Sequence, residues 1–250
     1  DDAAIIELKN ALKKDASLPE ARAELAELLF ASGDYRAAAA DYDRAIDLYS
    51  GVNATSSPRR RELINALNLC KVRLRQAAEV ISDLTAADNR SSDSSTASSV
   101  ASPSSGASSV AGDELAVLGH ARLALDDSEL AQQDFSNALT QLQPGSRAFS
   151  LAQYGLALIA ARAGEAELAK QRFEQAIAGG TRDPAILLGK ADFELSQNDF
   201  AAASDTFGLA RALPGNDLPA RLGAVRVLIF EADFAAATAE LESILTVAPD

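Results

Sequence analysis

The side chains that most often carry nucleophilic or metal chemistry are scarce in this sequence. His120 is its single histidine and Cys70 its single cysteine. A zinc site needs several such ligands held together, and a Cys–His nucleophile pair needs direct contact between the two side chains. No glycine-rich stretch has the spacing of a phosphate-binding loop. The sequence therefore predicts a protein that is not an enzyme and that uses no metal or cofactor.

The balance of charge argues against several classes of partner. Asp and Glu number 36 against 23 Lys and Arg, a formal net charge of −13. Such a chain is repelled by nucleic acid and by anionic membrane surfaces, so neither is expected as the main ligand. One local exception is basic: Arg59, Arg60, Arg61, Lys71, Arg73 and Arg75 accompany a single Glu62. This segment is either a solvated helix face or a docking patch for an acidic partner.

A small residue and, four positions later, a large one recur along the chain. In the C-terminal half the interval is 34 residues: Ala169, Ala203 and Ala237 are the small residues, and Phe173, Phe207 and Leu241 are the large ones. A fixed interval of this length indicates stacked structural repeats. Spacings of four and seven place the apolar residues on one face of a helix. Turn residues such as Gly33-Asp34 and Asn198-Asp199 predict two helices per repeat, A and B.

The alanines have a predicted structural role where helix B crosses helix A. Small side chains allow two helix axes to approach to the near end of the usual range, about 8–10 Å. The predicted small pairs are Ala38 with Ala26, Ala131 with Gly119, Ala169 with Ala157, Ala203 with Ala191, and Ala237 with Val225. The larger residues Tyr42, Phe135, Phe173, Phe207 and Leu241 are expected to pack toward the next repeat.

This pattern resembles the tetratricopeptide repeat family. The best copy is the series Ala26, Gly33, Tyr35, Ala38, Tyr42 and Ala45. The resemblance implies an all-α solenoid of antiparallel helix pairs that winds into a right-handed superhelix. It also implies a non-catalytic scaffold that binds a protein or peptide in a concave groove lined by the A helices.

Register with that family predicts the groove-facing positions. They are Phe30, His120, Tyr154, Leu158, Arg162, Leu188, Asp192, Leu222, Arg226 and Phe230. The Lys and Asn set with which one subclass of the family clamps a C-terminal carboxylate is missing here. An apolar groove with isolated charges favours an amphipathic helix or an extended apolar peptide as partner. Under this hypothesis, Tyr154→Ala combined with Arg226→Glu weakens partner binding and leaves helix content unchanged.

Composition divides the chain into three parts. Residues 1–87 are predicted to be an N-terminal repeat segment that begins inside a repeat and has a degenerate second repeat. Residues 88–112 are rich in Ser and Ala and are predicted to be a flexible linker. Residues 113–250 form a C-terminal array with repeats at about 113–145, 150–183, 184–217 and 218–250. Within the first part, residues 58–87 fit either one continuous helix or a hairpin without its turn glycine, and the hairpin is favoured.

A second, looser resemblance concerns cellular context. Residues 3–46 are similar to the opening repeats of bacterial envelope tetratricopeptide lipoproteins associated with exopolysaccharide export and exosortase systems. This resemblance implies a periplasmic or envelope-associated assembly factor whose lipid anchor has been trimmed from this sequence; a cytoplasmic protein is the alternative. No apolar run is long enough to span a membrane. Self-association into a structural array is the alternative function.

Overall fold

The computed structural model describes residues 2–50, 58–93, 111–180, 183–213, 215 and 217–247. Over these residues the chain is all-α, as predicted. The helices are α1 (Asp2–Lys14), α2 (Pro19–Ala31), α3 (Tyr35–Ser50), α4 (Pro58–Arg73), α5 (Ala77–Asp93), α6 (Gly112–Ala124), α7 (Ser128–Leu139), α8 (Arg147–Arg162), α9 (Ala166–Ile177), α10 (Pro184–Ser196), α11 (Phe200–Arg211), α12 (Asp217–Phe230) and α13 (Phe234–Val247).

Consecutive helices pack as hairpins. The pairs are α2/α3, α4/α5, α6/α7, α8/α9, α10/α11 and α12/α13, while α1 packs on α2. The second helix of each hairpin contacts the first helix of the next, and the first helices also contact one another from α4 to α12. The predicted fold class, a tetratricopeptide-like α-solenoid, is confirmed by this arrangement.

Each hairpin turn contains one residue with left-handed backbone. The six residues are Gly33, Arg75, Asp126, Gly164, Asn198 and Ala232, with φ between 62° and 81°. Glycine and asparagine adopt this conformation readily, whereas other residues are strained in it. The turn is therefore fixed by the fold, and the sequence departs from glycine at several of these positions.

The predicted small contacts lie in the core. The alanines of both helices at these crossings are buried, as is Val225. A Cβ atom added to Gly119 would lie 2.6 Å from the ring of Phe135, and one added to Gly155 would lie 2.1 Å from it. The glycines of α6 and α8 therefore leave the space that this ring occupies. Leu241 differs from its equivalents because it is exposed.

Residues 58–93 form a hairpin, which is the favoured of the two alternatives. α4 ends at Arg73 and α5 begins at Ala77, with Arg75 supplying the left-handed turn. α5 extends to Asp93 and so includes the first residues of the segment predicted to be a linker. The remainder of that segment, residues 94–110, lies outside the described residues.

A polar contact at an equivalent position of helix B joins the two helices of every hairpin. The B-helix residue is the third after the crossing position, which is alanine in five hairpins and Val80 in α5. These residues are Asp41, Asp83, Asp134, Arg172, Thr206 and Glu240. In three hairpins its partner lies early in helix A: Arg22–Asp41 (3.1 Å), Gln153–Arg172 (2.9 Å) and Arg221–Glu240. In the other three the partner lies two turns later: Lys71–Asp83 (3.5 Å), Arg122–Asp134 (2.7 Å) and Glu194–Thr206 (2.7 Å).

Candidate partner-binding surface

The ten predicted groove residues divide into three groups. Phe30, His120 and Tyr154 are buried; Leu158 and Leu188 are half-buried; Arg162, Asp192, Leu222, Arg226 and Phe230 are exposed. They therefore do not form one continuous open groove. The exposed members of the set lie towards the C-terminal end of the solenoid.

His120 and Tyr154 belong to a row of buried rings. The His120 ring lies 4.9 Å from that of Phe135 and 5.7 Å from that of Tyr154, and Tyr154 is followed by Phe173 at 6.1 Å. His120 Nε2 lies 2.9 Å from the carbonyl oxygen of Leu151, so Nε2 carries the proton and donates it. Burial lowers the pKa of His120 to about 4, and burial raises the pKa of Tyr154.

The N-terminal hairpins contact α8 and the start of α10. Phe30 of α2 lies beneath Arg147 of α8, with the guanidinium carbon 4.5 Å from the ring centroid. Arg73, at the end of α4, places Nη2 3.6 Å from Oδ2 of Asp183, the N-cap residue of α10. We call these two contacts, Phe30–Arg147 and Arg73–Asp183, the latch.

Apolar packing continues around the latch. One cluster of buried side chains joins α2 and α4 with α8 to α10, and includes Leu63, Leu69, Leu151, Tyr154 and Ile186. The prediction that Phe30, His120 and Tyr154 face an open groove is therefore corrected: these side chains are enclosed by the chain itself. Tyr154→Ala is now expected to destabilise the fold, because it leaves a large cavity in the core.

The three predicted groove charges each form an ion pair with a neighbouring repeat. Arg226 Nη1 bonds to Asp192 Oδ1 across α12 and α10, and Arg162 Nη1 lies 3.3 Å from Oδ1 of Asp126. All four side chains remain exposed. Exposed ion pairs contribute only about 0–1 kcal/mol to stability, so a partner can replace them at small cost.

An exposed apolar strip runs along α12 into the following turn. Leu222 is 42% exposed and Phe230 is 59% exposed. Ile229 and Phe234 are exposed beside them, and the ring of Phe200 stacks at 6.2 Å from that of Phe230. The register argument identified Leu222 and Phe230 but missed Phe200, Ile229 and Phe234. The aromatic turn position shared by Tyr35, Phe200 and Phe234 was the available signal.

The basic segment on α4 is paired with acids of the same chain. Arg59 bonds to Glu27 (3.0 Å) and Glu62 (2.9 Å). Lys71 Nζ lies 2.7 Å from Oε1 of Glu79, and Arg73 takes part in the latch. Three of the six cations of this segment therefore have an acidic partner in the same chain, which weakens the case for a docking patch for an acidic partner.

Neither a metal centre nor a membrane span can be assembled from the described residues. No three or more His, Cys, Asp and Glu side chains within 2–247, masked gaps aside, are grouped so that they would hold a metal ion. In the same ranges no helix combines the length and the apolar character that crossing a bilayer requires. Burial raises the pKa of the Cys70 thiol to about 12, which makes it a poor nucleophile.

Several solved structures are similar to this chain. No family model matches the sequence, and no curated protein matches it. A crystal structure of a tetratricopeptide repeat protein from Parabacteroides merdae is similar to this chain, with 17% sequence identity and a TM-score of 0.46. The similarity covers 91% of this chain and 79% of that chain.

Proposed function

We propose that this protein is a non-catalytic protein-interaction scaffold that binds an amphipathic helix or an extended apolar peptide of a partner protein. The observation that carries the proposal is the exposed apolar strip on α12, formed by Leu222, Ile229 and Phe230 together with Phe234. Large contiguous apolar patches are rare on monomeric soluble proteins and mark interaction sites. The flanking pair Arg226–Asp192 provides charges of both signs that can orient a partner segment.

The strip is sufficient for specific but moderate binding. Covering the exposed parts of Leu222 and Phe230 would contribute roughly 2–3 kcal/mol each before the entropic cost of binding, from a coefficient of roughly 25 cal/mol per Å². Half-buried Leu188 and Leu158 extend the same face toward α8. A helix that places apolar residues at i, i+4 and i+7 matches such a strip.

Site-specific photocrosslinking tests this proposal. A photoreactive phenylalanine analogue at position 230 should capture a partner in cells of the source organism, and the unlabelled Leu222→Glu substitution in the same chain should remove the crosslink. Leu209 on α11 is a matched control, because it is 58% exposed but lies outside the strip. Equal capture from positions 230 and 209, or a crosslink that survives Leu222→Glu, would contradict the proposal.

A second candidate function is self-association. Leu241 and Leu245 expose apolar surface on α13, on the side where earlier repeats pack against their successors. Sedimentation at several protein concentrations tests it. A mass that rises with concentration, and that returns to the monomer value in Leu245→Glu, is expected if copies stack; a concentration-independent monomer excludes it.

The envelope context is a further part of the proposal, and it depends on the resemblance of residues 3–46 to envelope lipoproteins of exopolysaccharide systems. The full-length natural protein should then incorporate labelled palmitate and sediment with the envelope fraction. Recovery of an unlabelled protein from the cytosolic fraction would reject this context and leave the binding proposal intact.

A further inference from the structure

An open cleft between α4, α6 and α8 has the volume of a small-molecule site. It measures about 360 Å³, at the lower end of the range of about 300–1,000 Å³ that ligand pockets occupy. This size suits a small molecule better than a long peptide. The walls of the cleft are apolar side chains from α4, from the start of α6, and from the segment that leads into α8: Leu63, Leu69, Val117, Leu142 and Leu151.

Two side chains of opposite charge line this cleft without an ionic partner. Asp113, in the first turn of α6, forms no ion pair with any cation of the described ranges, and Arg147, in the first turn of α8, forms none with an acid of the same ranges. The other charges of the lining are already paired, because Arg59 lies 3.0 Å from Glu27 and 2.9 Å from Glu62. The cleft therefore offers one carboxylate and one guanidinium to a ligand.

Asn65, on α4, provides a hydrogen-bond acceptor beside Asp113. Its Nδ2 donates to Oδ2 of Asp113 at 3.1 Å. Because a carboxylate only accepts, this bond fixes the orientation of the amide and leaves Oδ1 as an acceptor. Asn65 lines the cleft but is only 8% exposed, and its Oδ1 has no hydrogen-bond partner among the described residues. A buried acceptor of this kind requires a donor, which a ligand with an N–H group supplies.

We propose that this cleft binds a free α-amino acid with an apolar side chain. The ammonium group donates to Asp113 and to Oδ1 of Asn65, the carboxylate is bound by Arg147, and the side chain covers the apolar walls. A ligand with a single charge would leave either Asp113 or Arg147 unpaired, so the two charges together favour a zwitterion. This inference goes beyond the proposed scaffold function, because the cleft shares no residue with the apolar strip on α12.

Isothermal titration calorimetry of the full chain with four probes tests each part of the ligand. L-Leucine carries both charges, leucinamide lacks the carboxylate, N-acetylleucine lacks the ammonium group, and alanine lacks most of the apolar surface. We expect a Kd below about 1 mM for leucine and at least about tenfold weaker binding of each other probe. N-acetylleucine also represents the C-terminal residue of a peptide, and leucinamide represents an N-terminal one. Tighter binding of either than of leucine would overturn the proposal for a free amino acid.

Two substitutions each remove one charge of the cleft, and each has a matched control. Asp113→Asn keeps an oxygen that can accept from Asn65 but removes the partner of the ammonium group. Arg147→Gln removes the partner of the carboxylate. The controls make the same two changes at exposed positions outside the cleft: Asp199→Asn at the cap of α11, and Arg211→Gln at the end of that helix.

The expected result is a separate loss of preference in each variant. Asp113→Asn should bind leucine and N-acetylleucine with affinities within about threefold of each other, and Arg147→Gln should do the same for leucine and leucinamide. Both controls should stay within about twofold of the parent for every probe. If Arg147→Gln does not fold, Asp113→Asn carries the test alone. An absence of leucine binding up to about 10 mM, or parent-like preferences in the cleft variants, would overturn the proposal. Because the α12 strip takes no part in these titrations, either outcome leaves the scaffold proposal untouched.

Discussion

Stability should depend on pH through His120 in a way that one substitution can isolate. Burial lowers the pKa of His120 to about 4 from its ordinary value of 6.5, so the folded chain holds the ring neutral. The unfolded chain binds a proton first as the pH falls. The contribution of His120 is therefore complete above pH 6.5 and is lost progressively as the pH falls toward 4. Between pH 7 and pH 5 the loss is about 2 kcal/mol, roughly thirtyfold in the folding equilibrium.

Asp134 hides this effect in the parent protein. Burial raises its pKa to about 6 from 3.8, even though Arg122 lies 2.7 Å away and lowers it. A carboxyl with a raised pKa is favoured in the protonated folded state, so its contribution to stability grows as the pH falls from 6 toward 3.8. The two groups act in opposite directions over the same range.

Urea unfolding of the parent and of His120→Gln, at pH 7 and at pH 5, separates the contribution of His120 from that of Asp134. The glutamine amide can still donate to the carbonyl of Leu151 but does not titrate, and Asp134 is present in both proteins. The stability difference between parent and variant should narrow by about 2 kcal/mol on acidification. Parallel losses in the two proteins would refute the assignment of a buried neutral His120.

Three further substitutions test the packing and the turns by urea unfolding at neutral pH. Gly155→Ala should cost about 1–3 kcal/mol because its Cβ meets the Phe135 ring, whereas Gly208→Ala, with open space around it, should be neutral or stabilising by up to about 1 kcal/mol; similar effects at both sites would contradict the packing. Ala232→Gly should stabilise by about 0.5–1 kcal/mol through relief of the left-handed strain, and a loss of stability would argue against that turn. Arg122→Ala should cost about 3 kcal/mol at pH 7, and less at pH 5, because it leaves a buried carboxylate unpaired until that group is protonated; an equal cost at both values would show that the carboxylate is solvated.

The hairpin arrangement was predictable because it depends on local spacing. Ala38 and Tyr42, and their equivalents 34 residues apart near the C-terminus, report the period of the helix and the size of the space between two axes. The left-handed residues Arg75 and Ala232 were less predictable, since the fold imposes a backbone that these residue types disfavour. The position of the turn at residues 74–76 was therefore not determined by the sequence and became clear only from the structure.

The burial of Tyr154 was beyond the reach of the repeat pattern. Register within one repeat predicts which way a side chain points, but it does not predict whether another repeat covers that side chain. The burial of Tyr154 depends instead on how successive repeats are arranged relative to one another. That arrangement brings Arg73 close to Asp183, although the two residues are far apart in the sequence. No single repeat carries that information. Register with the family placed Leu222 and Phe230 among the groove positions, and both side chains are exposed, since no later hairpin in the described chain covers them.

The polar contact within each hairpin constrains how such a sequence can drift. Hairpins with Arg22 or Arg221 early in helix A have leucine two turns later, at Leu29 and Leu228, and Leu115 occupies the early position where Arg122 is the partner. A lineage that moves the partner from one position to the other must change both. A sequence that loses the first partner before it gains the second leaves the polar group of helix B unpaired, whereas a sequence that gains the second partner first keeps the contact throughout. The intermediate sequence that keeps the contact therefore carries a polar partner at both positions of helix A. Whether the hairpin stays stable during such a change depends on the order of the two substitutions more than on which residues are introduced.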